Sequence, residues 1–280
     1  MHVVEPQRYP LSPNALYHPP RHTLREALAF ESSLGIRNIV LVQPSIYGMD
    51  NSCLLEALRK VGPAHGRAIV VIDPNNVQPR TLTQWHALGV RGVRINLKSV
   101  GKVVDELQLS ELLLRHANAI RHLDWVIQIY LSLNMVPVLE KIVPTLGVRI
   151  CIDHYAGPDL SSVSVDDDSS FDPYLLPGFS SLVSLLRGGQ TYLKLSAPYR
   201  LTKDERLRDI QALTLELLRA APDRLIYATD WPHTRFDHVD ITPFTEACLR
   251  WCGNPELIDK IFRRNAEAML GVGRPGGHLT

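Results

Sequence analysis

Short runs rich in Val, Ile and Leu recur along this chain, each followed by a longer segment with the spacing of an amphipathic helix. Seven such runs stand out: NIVLVQPS (Asn38–Ser45), AIVVID (Ala68–Asp73), GVRINL (Gly92–Leu97), WVIQIYL (Trp125–Leu131), RICIDH (Arg149–His154), YLKLS (Tyr192–Ser196) and LIYATD (Leu225–Asp230). Runs apolar on both faces belong to a parallel sheet covered on both sides, because a sheet with one wet face would alternate. Between them, segments such as Ser110–Arg121 and Asp204–Ala220 place Leu, Ile and Ala at three- and four-residue spacing with charge on the opposite face. Right-handed βαβ units follow from this order, and they close into a (β/α)8 barrel or spread into an open doubly wound sheet.

Two features choose the barrel. No Gly-x-Gly-x-x-Gly or Walker-type loop follows any run, so the usual purpose of an open nucleotide-binding sheet is missing. Polar or reactive residues also stand at nearly every strand's C-terminal end: Ser45, Asp73, Arg94 with Asn96, Tyr130, His154, Ser196 and Asp230. In a barrel those ends meet at one mouth, where barrel enzymes do their chemistry. The expected fold is α/β, a TIM-like (β/α)8 barrel with its first strand largely missing. Met1–Pro6 runs into a Pro-rich stretch (Pro10, Pro13, Pro19, Pro20) and then a helix over Thr23–Leu34, which leaves only the end of that strand. With no repeat or linker, residues 1–280 read as one domain.

Thirty Lys plus Arg against 29 Asp plus Glu, with no basic block, excludes a nucleic-acid or anionic-membrane partner. The longest apolar stretch, Trp125–Val143, is interrupted by Gln128, Asn134, Pro137, Glu140 and Lys141, unlike a membrane span. Cys53, Cys151, Cys248 and Cys252 show no Cys-x-x-Cys spacing, the last two fall at i, i+4 on a helix, and the start carries no secretory signal. A soluble, cytoplasmic protein with reduced thiols is expected. Oligomeric state is not legible. An irregular segment, Tyr155–Pro177, holds Asp166, Asp167, Asp168 and several serines, and reads as a lid over the mouth or as a solvated insertion.

Several short motifs then occur in order. They are Met1-His2 with Arg8-Tyr9-Pro10; Gln43-Pro44-Ser45 with Tyr47-Gly48 and Asp50-Asn51; Arg91 to Asn96; and Gln128 to Tyr130. Asp153-His154, Lys194 to Arg200, Thr229-Asp230-Trp231-Pro232-His233 and Asn265 to Leu270 follow. Together they resemble the amidohydrolase-related, metal-independent hydrolases typified by 2-pyrone-4,6-dicarboxylate lactonase, over essentially the whole chain. In that family strand one ends in Asp-x-His-x-His. His2 is similar to its second histidine, and the aspartate and first histidine have no counterpart. Either the sequence opens at an internal methionine of a longer reading frame, or it is a paralogue that lost strand one and its catalysis.

The resemblance implies roles, each set beside a simpler one. Asp230 becomes the general base that takes a proton from water; otherwise it caps the next turn. His154, with His2, polarises the scissile carbonyl or ligates metal; otherwise His154 is a buried histidine satisfied by backbone. Arg94 and Arg200 hold substrate carboxylates, since a guanidinium forks onto a carboxylate. Arg94, inside an apolar strand, needs a buried partner in any case, and Arg200 could make a surface ion pair. Ser45, Tyr47 and Tyr130 line the pocket with hydroxyls or simply pack, and His233 contacts substrate or closes a turn. Relatives carry a further arginine where this chain has Lys98 and Lys102, so bidentate recognition of a second carboxylate is in question.

No metal or other cofactor is expected. Zinc is the alternative, held by His2, His154 and Asp230, since catalytic zinc takes about three protein ligands and a water. The expected activity is hydrolysis of a lactone or related cyclic ester of a carboxylated small molecule, using water activated by Asp230. The alternatives are a zinc-dependent decarboxylase or amide hydrolase on the same fold, and a catalytically inactive binding barrel or truncated product.

Overall fold

The computed structural model describes residues 1–161 and 171–272. Seven parallel strands form one sheet in chain order: β1 Ile39–Val42, β2 Gly66–Val70, β3 Val90–Asn96, β4 Val126–Tyr130, β5 Arg149–Ile152, β6 Thr191–Leu195 and β7 Leu225–Tyr227. Each sequential pair is joined over a helix, and the registers run Val93↔Ile127, Gln128↔Cys151, Cys151↔Tyr192 and Leu193↔Leu225. The sheet curls as a TIM-type barrel sheet does. β3 and β4 run through the polar ends Asn96 and Tyr130, whereas β1 ends at Val42 rather than Ser45 and β7 at Tyr227 rather than Asp230.

The helices are α1 Leu24–Ser33, α2 Ser52–Val61, α3 Pro79–Leu88, α4 Glu106–Ile120, α5 Val136–Leu146, α6 Phe179–Arg187, α7 Arg208–Ala220 and α8 Thr242–Cys252, then the short α9 Pro255–Asp259 and α10 Asn265–Met269. Capping boxes start two of them: Thr23 with Glu26 before α1, and Asp105 with Gln108 before α4. This places the start of α4 before the expected Ser110. The helix expected from Asp204 begins at Arg208 because Leu207 sits at φ 56, outside helical space, while Asp204 Oδ2 accepts from the Arg208 N–H at 2.8 Å. All four cysteines are buried and unpaired. Among the described residues no helix is long and apolar enough to cross a membrane.

Alternate residues of each strand face inward, since the side-chain period of a strand is two. Val42, Ile69, Val126, Cys151, Tyr192 and Ile226 make an apolar floor closed by Met269 and Leu270. One step further along β3, β4 and β6 come Arg94, Gln128 and Lys194, so polar groups overlie that floor. Close approach of strands here needs Gly92, where a Cβ would lie 2.5 Å from the Val126 carbonyl oxygen.

The place of an eighth strand, between β1 and β7, is entered by Met1 and His2. The Met1 ammonium donates to Val40 O at 3.2 Å, Val42 N donates to Met1 O at 2.9 Å, and His2 N donates to Trp231 O at 2.8 Å. Among the described residues no strand fills the rest of this place, and a cleft of about 430 Å³ continues the gap below Met1 and His2, lined by Val40, Ile226, Gln128 and Lys194.

The segment expected as a lid or a solvated insertion begins buried: Tyr155 is 1% exposed, and its hydroxyl bonds Thr214 Oγ1 at 2.8 Å. The bond ties Tyr155 to α7, and Ala156 beside it is buried too. Asp166, Asp167 and Asp168 lie outside the described residues.

Candidate functional site

The loops after β5 and β7 carry His154 and Asp230 at φ 51 and φ 58, left-handed backbone that side-chain-bearing residues adopt at a cost of about 1 kcal/mol or more each. That strain turns both side chains over the sheet's C-terminal edge. His154 Nε2 lies 3.7 Å from Asp230 Oδ1, with both side chains more than nine-tenths buried. The other carboxylate oxygen, Oδ2, accepts from the Tyr199 hydroxyl at 2.7 Å and from Arg200 Nε at 3.0 Å. On its far side His154 Nδ1 is 2.7 Å from Ser196 Oγ, and the Tyr130 ring meets the imidazole edge-on at 4.8 Å.

His2 reaches the same place. Its Nδ1 is 2.7 Å from Val42 O, a carbonyl that can only accept, so Nδ1 carries the proton. The neutral ring then offers a bare lone pair at Nε2. Burial, followed by the Arg94 charge, drives the His2 pKa down to about 3, so it is neutral at pH 7. Burial also lowers His154 and outweighs the pull of Asp230 and Asp153. For Asp230 the balance is reversed. Burial alone would raise it, but His154, Arg200 and His2 together hold the carboxyl far below the usual carboxylate range.

Beneath these groups lies the polar layer of the barrel. Lys194 Nζ is 2.9 Å from Asp153 Oδ1, and Gln128 Nε2 donates to Asp153 Oδ2 at 2.9 Å. Arg94 donates from Nη1 to Gln43 O at 2.8 Å, and its Nε has no partner among the described residues. A cavity of about 20 Å³, room for one water, is lined by His2, Arg94, Asp153, His154, Lys194 and Asp230. Outside it a mouth cavity of about 1090 Å³ is bordered by Lys98, Asn134, Leu176, Arg200 and Lys203. The Arg200–Asp230 ion pair links the two. Arg94, Lys194 and Arg200 outnumber the two carboxylates beside them, Asp153 and Asp230, which suits an anion.

Of the residues expected from sequence, His2, Arg94, His154 and Asp230 come together around the small cavity, Tyr130 packs on His154, and Arg200 joins the cavity to the mouth. Three serve other contacts. The Tyr47 hydroxyl accepts from the Glu5 N–H at 2.8 Å and so holds the N-terminal segment. Ser45 opens a 3-10 turn and lines neither cavity. His233 is 3.2 Å from Thr229 O through Nε2 and packs edge-on against Tyr199 at 5.4 Å. Sequence reasoning passed over Lys194, Asp153 and Tyr199 as site residues and gave Ser196 no role beyond its place at a strand end. Lys194 was findable, since a charge inside YLKLS needs a buried partner just as Arg94 does.

Among the described residues no three His, Cys, Asp or Glu side chains come together in a way that could hold a metal ion. Oδ2 of Asp230 is committed to Arg200 and Tyr199, and the Arg94 charge stands beside His2, which works against a cation there.

The sequence profile of the amidohydrolase family matches residues 1–272. The chain belongs to that family. It is 31% identical over 280 residues to the 4-sulfomuconolactone hydrolase of Hydrogenophaga intermedia, covering 96% of this chain and 86% of the relative. It is 29% identical over 250 residues to the 2-pyrone-4,6-dicarboxylate hydrolase of Comamonas testosteroni, covering 85% and 77%. The crystal structure of an amidohydrolase from Burkholderia multivorans with bound Zn superposes with a TM-score of 0.71 at 19% identity, covering 90% of this chain and 89% of that one. By sequence family this chain is thus an amidohydrolase, by its fold a TIM-type barrel, and the two relatives are themselves named as hydrolases.

Proposed function

We propose that this amidohydrolase opens the ring of a small lactone bearing acid groups, without a required metal. The observation that carries the reading is the water-sized cavity walled by the ionised Asp230, two neutral histidines and the cations Arg94 and Lys194. Asp230 Oδ1 takes a proton from the water while its oxygen bonds to the lactone carbonyl carbon. His2 Nε2 accepts the water's other hydrogen and holds it in line. This differs from the carbonyl-polarising role expected for His2, because a neutral ring with its proton on Nδ1 has no N–H to offer there. His154 stabilises the carbonyl oxygen as it gains charge. The ring C–O bond then breaks and the leaving oxygen takes the proton from Asp230, giving an open-chain hydroxy acid or its keto form.

A carboxylate held this low is a weak base. A substrate anion that engages Arg200 competes for its charge and raises Asp230 toward a more useful range. The cations Arg94, Lys194 and Arg200 favour carboxylate or sulfonate substituents, and the two relatives are named for lactones of that kind. The buried thiols fit a reducing compartment, the cytoplasm.

The test is ring opening of 4-sulfomuconolactone and 2-pyrone-4,6-dicarboxylate by the purified protein, followed by absorbance. Turnover of either, reduced about 10³-fold or more in Asp230→Asn, supports the reading; full activity in that variant sinks it. A second reading, a zinc hydrolase, is favoured by the zinc-bound structural neighbour. Near-stoichiometric zinc in the protein, with activity lost on chelation, would establish it instead.

A further inference from the structure

Ser196 and His154 stand side by side just past β6 and β5, 0% and 6% exposed, with Oγ and Nδ1 2.7 Å apart. A neutral imidazole has one N–H and one lone pair, and a hydroxyl can bond to either. Nδ1 therefore shares its proton question with Nε2, and the surroundings of Nε2 answer it. Asp230 Oδ1 faces Nε2 at 3.7 Å. A lone pair on Nε2 would be turned toward an anionic oxygen and repelled; an N–H there is attracted.

The charged groups that act on the ring are Asp230 and Asp153 on one side of the balance and Arg200 and Lys194 on the other. Asp230 is the one at Nε2. We propose that Ser196 is the positioning residue that locks His154 as its Nε2–H form: the serine hydroxyl donates to a bare Nδ1, and the ring presents an N–H to the cavity. His2 carries the opposite form, with Nδ1 donating to Val42 O and Nε2 bare. The two histidines thus offer one donor and one acceptor to the same space, as hydrolysis of an ester requires: a donor for the carbonyl oxygen and an acceptor for the water. What the N–H does rests on the lactonase reading above; where the proton sits does not.

The test is long-range ¹H–¹⁵N NMR of the intact protein labelled at histidine, with His154 assigned from a His154→Gln variant. The expected spectrum shows a pyridine-type Nδ1 and a pyrrole-type Nε2 for His154. Ser196→Ala mixes the two forms and lowers kcat about tenfold with KM nearly unchanged, on the scale of one neutral hydrogen bond, while Ser196→Thr keeps the form and most of the rate. A protonated Nδ1 in the unaltered protein, or an unchanged His154 spectrum in Ser196→Ala, overturns the assignment. Because the spectrum is read without substrate, a protein with the expected tautomer but no lactone hydrolysis refutes the proposed function and leaves this inference standing.

Discussion

The Tyr199 hydroxyl donates to Oδ2 of Asp230 at 2.7 Å, on the oxygen that also takes Arg200. Burial, then the nearby carboxylate, pushes the Tyr199 pKa far above its ordinary value, so it remains a donor throughout the working pH range. Tyr199→Phe removes one of two hydrogen bonds that hold the carboxylate and its charge. The expected result is a kcat lower by about tenfold and an acid limb of the rate profile moved to higher pH, because the remaining carboxylate is easier to protonate. An unmoved limb would show that Tyr199 only packs.

Arg94 is 7% exposed, and its Nε finds no partner among the described residues. A buried donor left open costs about 1 to 3 kcal/mol, a cost that a bound anion recovers. Arg94→Lys keeps the charge and loses the fork. KM for an acidic lactone should rise at least tenfold with a smaller change in kcat, measured by steady-state kinetics alongside a melting curve to show that folding is intact.

Lys98, half-buried at the mouth, donates to the Gly157 carbonyl and has no carboxylate at ion-pair distance among the described residues. An ammonium is a point charge that accepts a sulfonate as readily as a carboxylate, whereas a guanidinium favours planar, two-point partners. Lys98→Met is expected to raise KM about tenfold for lactones with two acid groups and to leave singly charged lactones unaffected. Equal effects on both would assign Lys98 to the loop instead.

How much of this was readable beforehand depends on whether a residue's task is local. Strand and helix order came from periodicity, and the gap between β1 and β7 came from counting strands, because burial on both faces leaves a plain sequence pattern. Asp230 and His154 were found because they end strands. What did not show was pairing across the barrel. Nothing local tells that Lys194 meets Asp153, whose positions are 41 residues apart in chain numbering, or that the Tyr47 hydroxyl is occupied by Glu5. Proton positions were also invisible: the His2 tautomer follows from Val42 O alone.

In the Lys194–Asp153 pair the carboxylate is buried and the ammonium nearly so, 2% and 13% exposed. Removing one partner of such a pair strands a charge, at about 3 to 5 kcal/mol. Lys194→Met should therefore lower stability by that order in urea unfolding, and Lys194→Met with Asp153→Asn should recover more than half of it. A double variant as weak as the single one would mean that Lys194 stabilises by packing rather than by pairing.

Acid should destabilise this protein well above the range in which Asp230 titrates. Burial lowers the pKa of His2, His116, His154 and His233 in the folded chain, His2 to about 3. Their unfolded values sit near 6.5, so between about pH 6.5 and each folded value the unfolded chain binds more protons. Stability is fully present above about pH 6.5 and falls as pH drops, by up to about 1.4 kcal/mol per unit for each histidine in its window. Asp230 adds a loss in the same direction, but only below its unfolded value near 3.9. His116 lies on α4 with Nδ1 bonded to Leu112 O, outside the site residues described above, so His116→Gln separates the effect from catalysis. Its unfolding free energy, measured between pH 5 and 7, should fall less steeply than that of the unaltered protein. Parallel slopes would mean that His116 keeps its proton in the folded state and that the acid sensitivity lies in other histidines.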